Sequence, residues 1–326
     1  MYDTERRFAV DVVAEASALA RQVQDRIASS GDAVTKADRS PVTVADLAIQ
    51  VLVSHRLAER FPGDGLLAEE DTAAIDADPG GLAEQVLELS RQAVPELTAD
   101  AMRRALGRGD HGGGAARHWV LDPIDGTKGF LRGEQFAVAL ALIDGGQLAA
   151  GALGCPRLQP VDGSGSEGSV FSAEVRRGAS ERRLGSTADR PIAVDAVTDP
   201  ARAAFCESVE AAHAAHSVQA EIAARLGITR PPVRIDSQCK YAVVARGEAS
   251  IYLRLPRRAD YREKVWDHAA GAVIIEAAGG RVSDLDGRPL EVSAGRHLAR
   301  SRGIVATNGH LHEAVLAACR DVLGLG

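Results

Sequence analysis

Two aspartates stand three residues apart in the segment HWVLDPIDGTKGFLRGEQFAVA, residues 118–139, where an apolar run meets a glycine-containing turn. The apolar residues 119–121 read as a short buried strand, and we expect Pro123 to end that strand. Asp122 and Asp125 would then face the same space at its carboxyl end. Carboxylates so close together repel each other unless cations lie between them, and hard oxygen ligands suit Mg²⁺ or Mn²⁺. The spacing therefore favours a metal site.

The residues that follow the second aspartate suit an anion. Gly126 and Thr127 supply backbone N–H groups, Thr127 adds a hydroxyl, and Lys128 adds an ammonium. Such groups are typical of a site that binds phosphate. The alternative is an Asp-Gly turn whose acids only cap backbone donors, and an isolated Asp-x-x-Asp-Gly is more typical of that turn. The choice between the two depends on other segments of the chain.

Two other segments place acids where they can join this site. A second apolar strand, residues 66–68, ends in Glu69, Glu70 and Asp71. Asp267 stands immediately before the apolar helix AAGAVIIEAA, where it is a natural N-cap. One interpretation is that Asp267 caps the helix and does nothing more. The other is that it turns a free carboxylate oxygen toward a metal.

Lysine is rare in this chain. The 38 basic residues include four lysines, so that 34 are arginines. A compact ammonium and a forked guanidinium are not interchangeable where geometry matters. The lysines lie in or beside the segments that carry candidate site residues, at Lys36, Lys128, Lys240 and Lys264. We therefore expect lysines to contact a ligand, although retention of any single one by chance is an alternative.

The length and charge of the chain limit the classes of protein to which it can belong. A chain of 326 residues fits two domains or one large sandwich. No apolar run approaches the roughly 20 residues that a membrane span needs. The net charge of −7 argues against binding of nucleic acid by a basic face, but not against an anionic small molecule held at bound cations.

The N-terminal residues and the cysteines give weaker indications of location and of bound metal. The first 22 residues begin with acids and alternate charged and apolar residues at helical spacing, unlike a secretory signal or a transit peptide. We therefore expect a cytoplasmic protein without membrane contact. The four cysteines are scattered singly with no Cys-x-x-Cys, so neither a zinc site nor a disulfide framework is indicated. The sequence leaves a monomer or a small homo-oligomer open.

Hydrophobic periodicity predicts helices on an antiparallel sheet for residues 1–200. The expected elements, in chain order, are a helix over 5–27, a polar loop, a helix from about 46 to 60, the strand 66–68, a helical insertion over 72–117, the strand 119–121, a hairpin around 144–146, and a further antiparallel strand after the glycine-rich loop 162–169.

Beyond about residue 200 the pattern changes to helices alternating with short strands, which predicts a second, α/β unit over 201–326. We expect a helix through Glu210, strands near Val233, Ile251, Val282 and Ile304, and helices over 268–278 and 311–323. The fold class is therefore α/β, with an α+β first half, and the cleft between the halves is the default ligand site.

Four segments together resemble the inositol-monophosphatase superfamily of metal-dependent, lithium-sensitive phosphatases. They are TKADRSPVTVAD, LLAEED, WVLDPIDGTKGFLRG and KVWDHAAGAVIIEAAGG. Longer strings, DPIDGTKGFLRGEQFAVALALI, DSQCKYAVVARGEASIYLRLP and YREKVWDHAAG, are similar to the bisphosphate nucleotidases of that superfamily. The resemblance covers most of the chain apart from residues 72–117, and it implies a layered αβαβα sandwich of the sugar-phosphatase type.

The resemblance also implies roles for individual residues near the two aspartates. It implies that Glu69, Asp122 and the carbonyl of Ile124 bind one Mg²⁺, and that Asp122, Asp125 and Asp267 bind a second, with Mn²⁺ as a substitute. A third cation is within the family's range. It implies further that Asp46 and Thr127 orient and deprotonate the attacking water, while N–H groups of Gly126 and Thr127 bind phosphate oxygens. Glu70 and Asp71 would remain outside the ligand set.

For the substrate, the resemblance implies contacts from His213, Ser237, Lys240 and Arg254. His213 is equally an exposed helix histidine, and Arg254 equally a charge at a strand edge. The implied reaction is Mg²⁺-dependent hydrolysis of the 3′-phosphate of adenosine 3′,5′-bisphosphate to AMP and phosphate, with the sulfated relative as a second substrate. The alternatives are an inositol-phosphate or sugar-phosphate phosphatase and a non-catalytic nucleotide-binding regulator.

Overall fold

A computed structural model describes residues 1–29, 40–78, 81–161, 163, 168–209, 216–256 and 261–325. The helices are α1 (Asp3–Ser29), α2 (Ser40–Arg60), α3 (Ala73–Ala77), α4 (Leu82–Ser90), α5 (Ala99–Gly107), α6 (Thr127–Leu131), α7 (His216–Arg225), α8 (Cys239–Ala245), α9 (Ala269–Ala277) and α10 (His312–Leu323). The strands are β1 (Gly65–Ala68), β2 (His118–Asp125), β3 (Ala137–Asp144), β4 (Gln147–Cys155), β5 (Ser169–Glu174), β6 (Ala179–Arg183), β7 (Asp189–Ile192), β8 (Phe205–Glu207), β9 (Val233–Arg234), β10 (Ile251–Arg254), β11 (Arg281–Ser283) and β12 (Ile304–Thr307).

Two sheets carry these strands. In the described ranges the first sheet runs β1 to β7 in chain order, and the second has the order β11, β12, β10, β8, β9. The first sheet is antiparallel, as expected, except that β1 pairs with β2 in parallel. The second is mixed, with β10 parallel to β8 and antiparallel to β12. The parallel β1–β2 pair matters for the site, because it brings two carboxyl ends to one edge.

Helices and sheets alternate in five layers. Helices α1 and α2 cover one face of the first sheet, α8 and α9 lie between the two sheets, and α7 and α10 cover the far face of the second. Three clusters of buried apolar side chains fill the spaces between the layers, and the second cluster extends on both sides of α8 and α9. The expectation of an αβαβα sandwich is confirmed, while the division into domains at residue 200 stays a prediction.

The first helix shows how sequence pattern becomes packing. Ala9, Val13, Ala16 and Ala20 recur at the three- and four-residue spacing of one helix face, and all four are fully buried. This face packs on β4 and β5. Small side chains at these positions let the helix lie close to the sheet. Among the described residues, no helix combines the length and apolarity that a membrane span requires.

Two expected boundaries were wrong. The helix expected to begin near Asp46 begins at Ser40, because a proline is compatible with the first turn of a helix and so does not delay it. The helix expected through Glu210 was also wrong. Residues 205–207 form the strand β8 between β10 and β9, where pairing with neighbours overrides local helical periodicity. Glu210 itself lies outside the described residues.

The packing of α8 against α9 depends on Gly271. A Cβ atom added at this position would lie 2.2 Å from Cγ of Tyr241, whose ring is fully buried. We expect Gly271→Ala to lower the free energy of unfolding by at least about 1–3 kcal/mol through overpacking, measured by chemical denaturation. Gly107→Ala is the matched control, since no atom lies within 4 Å of its added Cβ. Equal stability of both variants would contradict this packing.

Candidate active site

A bulge in β2 turns its two aspartates to the same side. Residues three apart face opposite sides of a regular strand. Here Asp122 pairs with Ala139 and Asp125 with Ala137, so β2 has one residue more than β3 between the two pairs. Both aspartates therefore face the layer of α8 and α9. The expectation that Pro123 ends the strand was wrong, because a bulge tolerates a residue without an N–H.

Glu69 reaches the same edge from the neighbouring strand. It follows the last residue of β1, and its N–H donates to the carbonyl of Leu121 at 3.3 Å. Gln50, fully buried on α2, holds both backbone polar groups of Glu70. It donates to the Glu70 carbonyl at 2.7 Å and accepts from the Glu70 N–H at 3.1 Å. Asp46 lies one helical turn before Gln50 on the same face of α2. One helix face therefore contributes an acid and also binds the backbone that carries Glu69 and Glu70.

Asp267 lies in the chain just before α9 and lines the same site. The N-cap position belongs to His268, whose side chain makes no capping hydrogen bond. The expectation that Asp267 is the N-cap was therefore wrong, because a turn in which Val265 accepts from the His268 and Ala269 N–H groups precedes the helix. Asp267 lies in that turn and lines the cleft. Its carboxylate is therefore available for a role other than capping.

These residues line one cleft of about 350 Å³. Its lining combines acids with cationic and hydroxyl side chains. Of the expected site residues, the cleft brings together Glu69, Asp122, Ile124, Asp125, Gly126, Thr127, Ser237, Lys240, Arg254 and Asp267. Asp46 is buried beside Glu69 and Glu70, close enough for their charges to act on it. His213 lies outside the described residues.

Burial and the crowding of carboxyl groups together dominate the electrostatics of the cleft. Burial first, and then the charges of Glu69 and Asp125, raise the pKa of Asp122 well above its usual range. Burial and Asp125 do the same to Asp267, and burial with Glu70 and Glu69 raises the pKa of Asp46. Partial desolvation by the cleft walls, together with Glu70 and Asp125, raises the pKa of Glu69 to about 7. Each group would ionise more easily with a cation nearby.

The residues fit divalent cations. Oδ1 of Asp122 is buried and makes no hydrogen bond to any described residue, although a buried carboxylate oxygen ordinarily has a partner. The surrounding donors are carboxylate and carbonyl oxygens, which hard cations prefer. A bound divalent cation would therefore both pair with the Asp122 oxygen and offset the repulsion between the carboxylates.

A second acidic group nearby is better explained as a hydrogen-bond network. Ligand atoms of Glu263, Asp267 and His268 lie within 4.8 Å of one another. Nδ1 of His268 lies 2.7 Å from the Tyr241 hydroxyl, and Nε2 lies 3.3 Å from Oε2 of Glu263. The other Glu263 oxygen accepts from Nε of Arg254 at 3.3 Å. Both histidine nitrogens are thus engaged, and the network holds Arg254 at the cleft.

Ser237 and Lys240 enter the cleft from a strained turn at the start of α8. Ser237 has φ +63°, a left-handed conformation that is unusual for serine, and it lies against Gly126, where an added Cβ would be 2.8 Å from the Ser237 Cβ. Its hydroxyl accepts from the Cys239 N–H at the start of α8. Lys240 is buried, with Nζ 3.4 Å from the Ile235 carbonyl and 5.5 Å from the centre of the Tyr252 ring. Burial lowers the pKa of Lys240, and Asp125 opposes that effect.

The sequence model of the inositol monophosphatase family matches residues 1–323. The chain belongs to the inositol monophosphatase family. Relatives in this family include a protein from Oryza sativa named 3′(2′),5′-bisphosphate nucleotidase, 41% identical over 345 residues that cover 99% of this chain and 95% of that protein. A protein of the same name from Emericella nidulans is 41% identical over 354 residues, with 99% of each covered.

Solved structures of the inositol monophosphatase family share the fold. SuhB of Mycobacterium tuberculosis has a TM-score of 0.63 at 26% identity, covering 99% of this chain and 98% of that one. The Thermotoga maritima IMPase has a TM-score of 0.64 at 20% identity, covering 98% of each chain. The layered fold read from the strings quoted above is therefore that of the family.

Several side chains that support the site in this family member were not predicted. Asp236 accepts from the Ser208 hydroxyl at 2.7 Å and from Nη2 of Arg132 at 2.8 Å, so it links the turn before Ser237 to the end of α6. The N–H of Gln238 donates to Oδ2 of Asp125. Only Gln50 left a signal in the sequence, since it follows Asp46 by four residues in a helix. The other contacts join residues 28, 104 and 113 positions apart.

We expect Asp122→Asn to weaken divalent-cation binding by at least about a hundredfold, because the loss of a ligand exceeds the ten- to hundredfold typical of supporting residues. Folding should be retained, since the substitution removes one of several repelling charges. Calorimetric titration with Mg²⁺ and chemical denaturation of the metal-free protein measure the two effects. Asp71→Asn is the control, because its amide oxygen can still accept from the Ala73 N–H. Unchanged affinity in Asp122→Asn would refute its assignment as a ligand.

The raised pKa of Glu69 predicts a pH dependence of stability without metal. Its folded pKa of about 7 lies above its ordinary value of 4.5, so the folded state binds more protons in that window and its stability falls as pH rises through it. We expect a lower Tm for metal-free protein at about pH 7.5 than at about pH 5.5, with Mg²⁺ restoring more at the higher pH. Subtracting the pH dependence of Tm in Glu69→Gln from that of the wild type gives the contribution of the Glu69 carboxyl group. A pH dependence identical in the two proteins would contradict the expectation.

Proposed function

We propose that this chain is a Mg²⁺-dependent phosphatase that removes the 3′-phosphate from adenosine 3′,5′-bisphosphate to give AMP and phosphate. One observation carries the proposal: a single cleft combines carboxylates suited to divalent cations with the cationic side chains of Lys240 and Arg254. A substrate with two phosphates can place one at the cations and the other at these side chains. The names of the relatives that are about 40% identical over nearly the whole chain support the same substrate.

Two cations are assigned to the carboxylates of the cleft. Glu69, Asp122 and the carbonyl of Ile124 would hold one, and Asp122, Asp125 and Asp267 the other. When bound, such cations lower the pKa of water toward about 7 and offset negative charge on the phosphoryl group. Asp122 would belong to both ligand sets, which agrees with its position among the acids that act on its pKa.

Asp46 and Thr127 are assigned to the attacking water. The Thr127 hydroxyl lines the cleft at the start of α6 and would orient the water, while the Asp46 carboxylate would take its proton through that hydroxyl. A carboxylate whose pKa is raised by burial accepts a proton more readily than an exposed one. No side-chain nucleophile is required, which agrees with the burial of the four cysteines as free thiols.

Backbone groups of Gly126 and Thr127 are assigned to the phosphate that is transferred. Gly126 is the N-cap of α6, and the first N–H groups of a helix have no partner within it. They would donate to phosphate oxygens as negative charge moves in the transition state. The left-handed φ of +92° at Gly126 makes this turn sharp and permits the close approach to Ser237.

Ser237, Lys240 and Arg254 are assigned to the second phosphate. Burial disfavours a charged guanidinium, but acidic neighbours that include Glu263 oppose it, and the pKa of Arg254 is raised above its ordinary value. Arg254 is thus cationic in the cleft. We further propose that 3′-phosphoadenylyl sulfate is accepted, since the same groups can bind its sulfated phosphate. His213 is proposed to contact the base or the ribose.

A phosphate-release panel tests the function. It compares kcat/KM for adenosine 3′,5′-bisphosphate, inositol 1-phosphate and fructose 1,6-bisphosphate with Mg²⁺. The first substrate should be preferred. Faster turnover of inositol 1-phosphate or fructose 1,6-bisphosphate would favour an inositol- or sugar-phosphate phosphatase instead. Tight binding of the nucleotide without phosphate release would favour a non-catalytic regulator.

Lys240 should discriminate between substrates with and without the second phosphate. Loss of a charge-assisted contact of about 1.5–3 kcal/mol corresponds to roughly tenfold to a hundredfold. We therefore expect Lys240→Ala to raise KM for adenosine 3′,5′-bisphosphate by this factor and KM for adenosine 3′-monophosphate far less. Lys240→Arg should recover only part of the loss, because a planar fork cannot occupy the position of a compact ammonium.

Lys240→Met is the matched control for packing, since it keeps an apolar stem beside Tyr252 without the charge. It should behave as Lys240→Ala does toward the bisphosphate. Steady-state kinetics on both substrates provide the measurement. Equal losses on the two substrates would show that Lys240 supports the structure of the cleft instead of recognising the second phosphate.

A further inference from the structure

Arg296 touches the segments that carry two of the assigned ligands. Its Nη2 donates to the backbone carbonyl of Glu69 at 3.3 Å. Its guanidinium carbon lies 4.7 Å from the centre of the Trp266 ring, and Trp266 is the neighbour of Asp267 in the chain. Its own carbonyl accepts from the Val265 N–H at 3.1 Å. One residue thus contacts both the end of β1 and the turn before α9.

The backbone around Arg296 is well fixed relative to that turn. Lys264 and His297 form an antiparallel bridge, and the Leu298 N–H donates to the Glu263 carbonyl at 2.9 Å. Nζ of Lys264 lies 2.9 Å from Nε2 of His297 and 5.4 Å from the centre of the Trp266 ring. The segment 263–266 therefore runs beside 296–298, and the Arg296 side chain extends from this pair to Glu69.

The end of β1 needs such a contact. Glu69 follows a strand of four residues, and its side chain meets the negative charges of Glu70 and Asp125. Gln50 accepts from the Glu70 N–H, and Arg296 donates to the Glu69 carbonyl of the same peptide group, so the two side chains hold it from both of its polar atoms. A guanidinium can stack on an aromatic ring and donate in its own plane at the same time, which an ammonium cannot do.

We propose that Arg296 is a positioning residue that sets the distance between Glu69 and Asp267 and thereby the affinity of the site for divalent cations. This inference rests on the proposed function, because it uses the ligand roles assigned there. Arg296 acts on the metal site through the Glu69 backbone on one side and through Trp266 on the other. Its effect on substrate turnover is a consequence of that affinity.

The test is binding of Mn²⁺ to the substrate-free, full-length protein, followed by electron paramagnetic resonance of free Mn²⁺. Arg296→Met should weaken binding by about tenfold to a hundredfold, the range typical of residues that orient ligands. Arg296→Lys should recover part of the loss, because it retains the charge over Trp266. Arg300→Met, an exposed arginine on the same segment, is the matched control and should bind as wild type does.

A double-mutant cycle distinguishes positioning from a general loss of structure. If Arg296 acts through Glu69, Arg296→Met should add little to the loss caused by Glu69→Gln. Equal effects of Arg296→Met in the two backgrounds, or wild-type affinity in Arg296→Lys and Arg296→Met, would overturn the proposal. Should Arg296→Met fail to fold, the cycle is run with Arg296→Lys. The substrate panel fails or succeeds independently, because Mn²⁺ binding does not depend on which phosphate ester is hydrolysed.

Discussion

Repulsion between buried carboxyl groups is the constraint on which the rest of the structure depends. Asp122 and Asp46 are buried and Asp267 is partly buried. Desolvation and the charges of neighbouring carboxyl groups raise the pKa of each. Such an arrangement opposes folding and persists only where the surrounding structure holds it. Five layers of packed helix and sheet supply that support, with the acids located where strand ends, a helix start and one face of α2 meet.

Rigid elements hold the acids with few connections of their own. The bulge in β2 is stabilised by pairing on both of its sides, and α2 is buried against the same sheet. The contacts of Gln50, Gln238 and Arg296 go to backbone atoms or fix a carboxylate from a distant segment. Backbone contacts of this kind position a carboxyl group without neutralising it. The negative charge remains available to a cation.

The sequence predicted the composition of the site better than its local geometry. Asp122, Asp125 and Asp267 could be identified because motifs of residue type and spacing are preserved in one dimension. The bulge at Pro123 could not, since a break and a bulge have the same sequence signal until β3 is known to pair on both sides. The strand β8 was missed for a related reason, because its pairing with β10 and β9 lies about 30 to 45 residues away. The contacts of Glu263 and Arg296 also depend on tertiary structure.

The contact between Gly126 and Ser237 has a consequence for how this cleft can evolve. An added Cβ at residue 126 would meet the Ser237 Cβ at 2.8 Å, and residue 237 already holds a left-handed backbone. A side chain at residue 126 therefore requires a change at residue 237. New substrate preferences are more accessible through Lys240, Tyr252 and Arg254, whose side chains line the cleft without this backbone restriction. Selection for altered specificity would thus act on the cationic wall while the glycine and serine persist together.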